Sequence, residues 1–442
     1  MTSVTQISRA MKRIMETEAN QIARDVGCVQ RQRKFSGATL LQTLVFGFGQ
    51  HPDATLEQLV STAQIRQVQI SDTGMQKRFT PACARFLQEI LTRLSQIVVQ
   101  AATPVPIELV ERFAMVVLED SSLIELPDAL QKVWQGCGGS AGVSHAAVKI
   151  HTRLDLKQGQ LWGPIPTAGR QSDRHSPFKP LPLPKGSLYI ADLGYFDLEA
   201  MAKRRQAGSF TLTRLRGEVA VLRPSGSRIS LETVVPTQIG EIKELSVLVG
   251  SHQRLPMRLV MQRVPAAVAA ERRRKLEEEA KRRQRPVATQ AYRLADWTLL
   301  LTDAPMTLLR PAEALVLVRE RWQMELLYKL WKSDSLIDDW TTDNPWQVLC
   351  EMYAKLIASL LQHWCMVLFA WSNEQRSWHK LAQIVRDTMW TLMEAFAGER
   401  SMVSVWRLIQ RRMQAGCSMN TRASRPNSAQ VLQSGHCWDF PP

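Results

Sequence analysis

Residues 114–126 read AMVVLEDSSLIEL. The run is dense in β-branched and apolar residues, which predicts a strand. Asp120 lies inside or at the end of its apolar part, a place that carboxylates seldom occupy without a partner or a metal. Downstream, AAVKIHTRLDL (146–156) and QLWGPIPT (160–167) form a plausible hairpin around Gln158 and Gly159. A Pro-rich stretch, 177–184, shows no regular helix and leads to SLYIADLGYF (187–196), a short apolar run ending in Asp192. Residues 198–206 look helical and SFTLTRLR (209–216) is strand-like. Three strands, a connection, a strand, a helix and a strand fit an α/β, mixed-sheet core.

Residues 217–310 interrupt that core with further strand candidates: VAVLRP, RISLETVV, KELSVLVG, LPMRLVMQRV and WTLLLTDA. They predict a β-rich subdomain inserted into the core. Between them, ERRRKLEEEAKRRQR (271–285) has the acid–base spacing of an exposed helix, either merely solvated or facing DNA. Upstream, residues 1–105 look helical. Residues 38–49 are apolar, Asp53 can cap a helix from near Thr55, and Ser71 or Asp72 can cap another. Phe86, Ile90, Leu91, Leu94 and Ile97 mark one face of a helix over 82–101. Short helices with tight turns suit a helix-turn-helix, and equally a plain bundle. Helical patterns return over 311–332, 345–369 and 377–413, and the Ser/Asn/Arg/Pro-rich tail from Ser418 is expected to be poorly ordered.

With 56 basic and 41 acidic residues the chain carries a formal charge of +15, which favours a polyanionic partner, nucleic acid first. The seven cysteines include no C-x-x-C pair, so a zinc site or disulfide framework is not expected and a reducing cytoplasm fits. The polar start is no signal peptide. The longest apolar span, Val348 to Trp371, carries Glu351, Lys355 and His363 and reads as a buried helix, not a membrane crossing.

The segment VRERWQMELLYKLWKS (318–333) predicts one helix on which Arg321, Glu325 and Lys332, spaced by four and seven residues, share a stripe. On its own this is an ordinary amphipathic helix with an ion pair. Together with Asp120 and Asp192 it offers three carboxylates, which suit two hard divalent cations, Mg²⁺ or Mn²⁺. Such a pair, about 3.5–4 Å apart, stabilises both the attacking and the leaving oxygen of a displacement at phosphorus. Glu119 and Asp197 are rival carboxylates, and Glu119 should face the other side of the strand if Asp120 faces the site.

The order of these elements resembles the bacterial insertion-sequence DDE transposases with the signature Y-x2-R-x3-E-x6-K. Arg321, Glu325 and Lys332 match by residue and spacing, while Val318 stands at the tyrosine position. Asp120 in LEDSSLIELP and Asp192 in IADLGYF match the first two acids. The resemblance implies a ribonuclease-H-like catalytic domain over about 106–376, with the β-rich insertion at about 217–310. An N-terminal helical DNA-binding domain (1–105) would precede it, and C-terminal helices with the tail (377–442) would follow. It implies catalysis and metal binding by Asp120, Asp192 and Glu325, two Mg²⁺ or Mn²⁺ per site, and DNA contacts by Arg321, Lys332 and Trp297. In some family members the tryptophan equivalent to Trp297 stabilises a flipped base. The reaction implied is cut-and-paste transposition: a water nicks the element end and the freed 3′-hydroxyl attacks a second strand. The partners implied are transposon ends and target duplex, in a complex at least dimeric, with no membrane and no nucleotide cofactor, in the bacterial cytoplasm. The alternatives are a metal nuclease that cuts without joining and a DNA-binding regulator derived from a transposase.

Overall fold

The computed structural model describes residues 3–31, 34–138, 144–283, 286–287, 289–340, 342–419, 430 and 432. The last two residues of the expected 271–285 helix, and nearly all of the tail expected to be poorly ordered, lie outside them. Nine strands occur among the described residues: β1 (Val116–Leu126), β2 (Ala146–Asp155), β3 (Leu161–Ala168), β4 (Leu188–Ala191), β5 (Phe210–Arg214), β6 (Val221–Leu222), β7 (Ile242–Val249), β8 (Leu255–Arg263) and β9 (Trp297–Thr302). The chain divides into two compact units. Among the described residues a sheet unit comprises 107–119 and 172–322, and a helical unit comprises 3–106, 120–171 and 323–419.

In the sheet unit the strand order is β1-β4-β5-β9-β8-β7-β6, with β1 contributing Val116–Glu119. β1, β4 and β5 are parallel, and every later pairing is antiparallel. The sequence explains the switch. LYIA in β4 is buried throughout, as a parallel strand covered on both faces must be. IKELSVLV in β7 has an exposed first half and alternates only at its end, as an antiparallel strand with one wet face does. Residues 217–310 are β-rich, and their strands continue the sheet beyond β5 through the β5–β9 pairing. RISLETVV, expected as a strand, forms instead a short 3-10 turn over Leu231–Thr233. Ile229, Leu231 and Val235 drop from it into the core shared with Val247, Met257 and Leu301. Apolar residues two apart imitate strand periodicity when a turn buries them.

The helix Ala266–Arg283 carries exposed acid–base pairs, such as Arg274 with Glu271 and Glu278. Its other side is docked. The Arg272 guanidinium donates to the carbonyls of Ala295 (3.3 Å) and Trp297 (3.0 Å) and to Thr298 Oγ1 (2.9 Å). Burial pushes that guanidinium down to about 10.

In the helical unit, helix Gly37–Gln50 is the centre of packing. Ser36 and Thr39 close a capping box at its start. Nearly every side chain along it is buried, because GATLLQTLVFGFGQ is apolar on all sides and needs cover on all sides. That cover comes from helices Pro345–Ala370 and Met389–Ala397, with Leu56–Gln64 and Ala19–Asp25 closing the remaining sides. A Cβ at Gly37 would lie 2.3 Å from the Ala19 carbonyl oxygen, so only glycine permits this approach. The Trp406 indole donates to Ser8 Oγ (2.6 Å), tying the last helix to the first. The N-terminal helices therefore share one core with the C-terminal ones. Helix Pro345–Ala370 is long and apolar enough to cross a membrane, yet its residues are largely buried in this core.

β2 and β3 form the expected antiparallel hairpin. At its turn Gly159 has φ +73°, and a Cβ there would meet the Trp371 ring at 2.4 Å, so glycine is required twice over. The Gly159 carbonyl accepts the Nε2–H of buried His363 (2.7 Å), whose Nδ1 is buried with no hydrogen-bond partner among the described residues. Burial pushes this imidazole down to about 4, outweighing the Gly159 bond. Its folded value thus lies below the ordinary value near 6.5. In that window the unfolded chain takes up a proton that the folded chain refuses. Stability from neutral His363 is therefore full above about pH 6.5 and is lost as pH falls towards 4. Between pH 7 and pH 5 the loss should be roughly 2 kcal/mol, read from denaturant midpoints. His363→Gln should flatten that dependence, and an equally acid-sensitive variant would assign the effect elsewhere.

Candidate active site

β1 and β4 run parallel in the register Val116↔Leu188, Val117↔Tyr189, Leu118↔Ile190 and Glu119↔Ala191. The residue that follows next in each chain path is an aspartate, Asp120 after Glu119 and Asp192 after Ala191. Both leave the carboxyl ends of parallel strand segments, where open α/β sheets place their ligands. Asp192 is half-buried and stands before the 3-10 turn Leu193–Tyr195, its carbonyl accepting the Tyr195 N–H (3.0 Å). Asp120 is half-buried, and its Oδ1 accepts the Ser121 N–H (2.8 Å).

The rival carboxylates have structural duties. Glu119 is buried and accepts the Ser176 hydroxyl. Asp197 caps helix Leu198–Gln206 through the amides of Glu199 and Ala200 and pairs with Lys179 at 2.6 Å. Burial pushes the Asp197 carboxyl up, but Lys179 and the helix amides outweigh it and hold the group low.

The signature segment is not one helix. Helix Pro311–Arg319 ends, Glu320 and Arg321 form a turn, and a second helix spans Trp322–Ser333. Arg321 consequently precedes the helix that carries Glu325 and Lys332, and the single stripe expected of all three does not exist. No Pro or Gly marks the break, so periodicity alone could not locate it. Val318 is buried at the end of the first helix. Glu325 sits exposed in the first turn of the second, where a carboxylate complements the helix dipole. Its neighbours fix this helix on β1. Tyr328 Oη donates to the Asp120 carbonyl (2.8 Å), and Lys332 Nζ donates to the Leu123 carbonyl (2.9 Å) and pairs with Asp338 (3.0 Å). The 322–333 helix is thus tied to the strand segment that begins with Asp120. Asp192, Arg321 and Trp297 belong to the sheet unit.

Among the described residues, no group of three or more His, Cys, Asp or Glu side chains gathers closely enough to hold a metal ion. The expected donors are nonetheless all carboxylates, the hard oxygen set that Mg²⁺ and Mn²⁺ prefer. By chemistry they fit such ions.

Trp297 opens β9 half-buried, with its indole N–H donated to the Pro236 carbonyl (2.8 Å). It lines a cleft of about 620 Å³ with Tyr292, Arg273, Arg293, Asp296 and Glu232. The Arg273 guanidinium lies 5.3 Å from the Tyr292 ring centroid. Two aromatic rings suit stacking on a planar base, while both guanidinium groups are already paired, Arg273 with Asp296 and Arg293 with Glu232 (3.4 Å). Sequence reading named Trp297 but not Tyr292 and Arg273, which reach the same cleft from separate helices. It also passed over Tyr328, although its place one turn beyond Glu325 was a usable signal.

Residues 111–361, more than half of the chain, match the family model described as the transposase DDE domain. The chain is 26% identical over 410 residues to the transposase for insertion sequence element IS231F of Bacillus thuringiensis subsp. israelensis, covering 87% of this chain and 86% of that one. It is 27% identical over 277 residues to the transposase for insertion sequence element IS231B of Bacillus thuringiensis subsp. berliner, covering 58% and 57%. With the transposase for insertion sequence element IS231E of Bacillus thuringiensis subsp. finitimus it shares 25% identity over 307 residues, covering 64% and 63%. A match that runs through β1, β4 and the Glu325 helix takes in both aspartates and the glutamate, and on it the chain belongs to the DDE transposase family.

Proposed function

We propose that the chain is a DNA transposase that cuts an insertion-sequence end and joins it to target DNA by phosphoryl transfer at Asp120, Asp192 and Glu325. The observation that carries this reading is the parallel register of β1 and β4, whose last paired residues, Glu119 and Ala191, are each followed in the chain by an aspartate. The core is read as ribonuclease-H-like, with Glu325 as the third carboxylate. When bound, two Mg²⁺ or Mn²⁺ ions would be held by these three residues and would supply charge stabilisation to the attacking and leaving oxygens. The chain's own residues do the rest. Arg321 offers a planar fork that grips a phosphate bidentately. The Trp297–Tyr292 cleft takes a base displaced from the duplex. The +15 charge draws the protein to duplex DNA, and residues 1–105 provide part of that surface. A homodimer on two element ends, in the cytoplasm, completes the assembly.

Incubation of the full chain with a labelled element end and Mg²⁺, resolved on a denaturing gel, tests this directly. Nicked and joined products are the expected result. Cleavage without joining of pre-cut ends would make it a nuclease. Binding without cleavage would make it a DNA-binding regulator, the reading that Val318, buried where the signature has a tyrosine, favours.

Lys332 exposes about a third of its side chain beside its two partners. If it also holds a DNA phosphate, Lys332→Ala should lower the slope of log affinity against log salt by about one unit. An unchanged slope with a lowered melting temperature would leave it only the tether to Leu123.

A further inference from the structure

Tyr328 is buried among polar partners that the reaction as described does not use. Its hydroxyl lies 2.8 Å from the Asp120 carbonyl oxygen, 3.2 Å from the Ile150 carbonyl oxygen and 2.6 Å from Thr152 Oγ1. A phenol has one proton to give and lone pairs to receive. The shorter carbonyl contact assigns most of that proton to Asp120. Thr152, itself fully buried, then donates into the phenol oxygen. The ring stacks edge-on against Trp331, with centroids 5.8 Å apart, so it has little freedom to leave. One oxygen thereby joins three pieces of chain: the backbone of Asp120, strand β2 and the helix of Glu325.

We propose that Tyr328 is a positioning residue, whose hydroxyl sets the distance between the Asp120 and Glu325 carboxylates and so tunes the affinity of that pair for divalent metal. This rests on the reading of Asp120 and Glu325 as metal-binding carboxylates. Glu325 precedes Tyr328 by three residues, about 4.5 Å along the helix axis at 1.5 Å per residue, so anchoring one fixes the height of the other. Within β1 the same hydrogen bond holds the peptide of Asp120, while the Ser121 N–H holds its carboxylate. Lys332 makes a second tether, four residues on, to the carbonyl of Leu123, so the helix can pivot about Lys332 once Tyr328 is lost. A metal site tolerates only small errors in ligand position, and partners that orient its ligands typically change metal affinity by about 10–100-fold.

The test is Tyr328→Phe in the full chain, which removes one oxygen and keeps the ring. Mn²⁺ binding is followed by electron paramagnetic resonance of the free ion, and end cleavage is followed against Mg²⁺ concentration. The expected result is an apparent Mn²⁺ Kd and a Mg²⁺ half-saturation each raised about tenfold, with cleavage at saturating Mg²⁺ within a few-fold of wild type. A loss of rate that no Mg²⁺ concentration restores, with unchanged Mn²⁺ affinity, would overturn the proposal and leave Tyr328 a purely structural residue. Unchanged metal dependence in both assays would overturn it as well. Glu325→Gln run alongside separates the two levels. If Glu325→Gln binds Mn²⁺ and cuts like wild type, the carboxylate reading itself fails. If it is inactive while Tyr328→Phe is wild-type throughout, only the positioning role fails.

Discussion

Glu325→Gln should lower end cleavage by roughly a thousandfold or more, the equivalent of about 4 kcal/mol of transition-state stabilisation, while leaving DNA-end binding nearly unchanged. The substitution keeps size and hydrogen-bonding reach but removes the negative charge that a hard cation requires. Glu325 is exposed in the first turn of its helix, so the near-isosteric change opens no cavity in the core. The variant should melt within a degree or two of wild type. Titration of labelled ends at fixed salt, beside a cleavage time course in Mg²⁺, reads both halves. Substantial cleavage by the variant would remove Glu325 from the site, and lost binding would move it to the DNA surface.

Lys355→Met should be the most damaging substitution for stability. Lys355 lies fully buried in helix Pro345–Ala370, and its three protons are all used. They go to Glu351 (2.7 Å) and to the carbonyls of Leu336 (2.8 Å) and Asp339 (3.0 Å), in the connector after the Glu325 helix. Burial pushes the Lys355 ammonium down and the Glu351 carboxyl up, and each is held charged by the other. Removing the ammonium strands a buried carboxylate and two carbonyls, at a cost of about 3–5 kcal/mol. Replacing both members, as Glu351→Leu with Lys355→Met, should recover much of that loss, because the uncompensated charge goes too. Urea denaturation of the two variants measures it. A single variant as stable as wild type would mean that the pair contributes nothing net.

The sequence by itself determined the local elements and the candidate chemistry. β-branched runs gave β1, β4, β5, β7, β8 and β9 close to their observed bounds, because strand propensity and burial agreed there. Asp120 and Asp192 stood out because a carboxylate ending an apolar run demands a reason. The spacing of Arg321, Glu325 and Lys332 carried the family resemblance. Tertiary structure alone decided the rest. Helix periodicity ran unbroken through Glu320 and Arg321, yet the chain turns there, since no local residue type encodes the break. Residues 1–105 have the composition of a separate domain, but their central helix is apolar all round and had to find cover more than 250 residues away. RISLETVV had strand periodicity, yet only Arg228 and Ile229 bond back to β6, and the chain turns at Leu231–Thr233. Tyr328 reads as one more core aromatic until β1 and β2 bring two carbonyls and a threonine to its hydroxyl. Hydrogen-bond partners so distant in the chain leave no periodic trace, so only the folded backbone could name them.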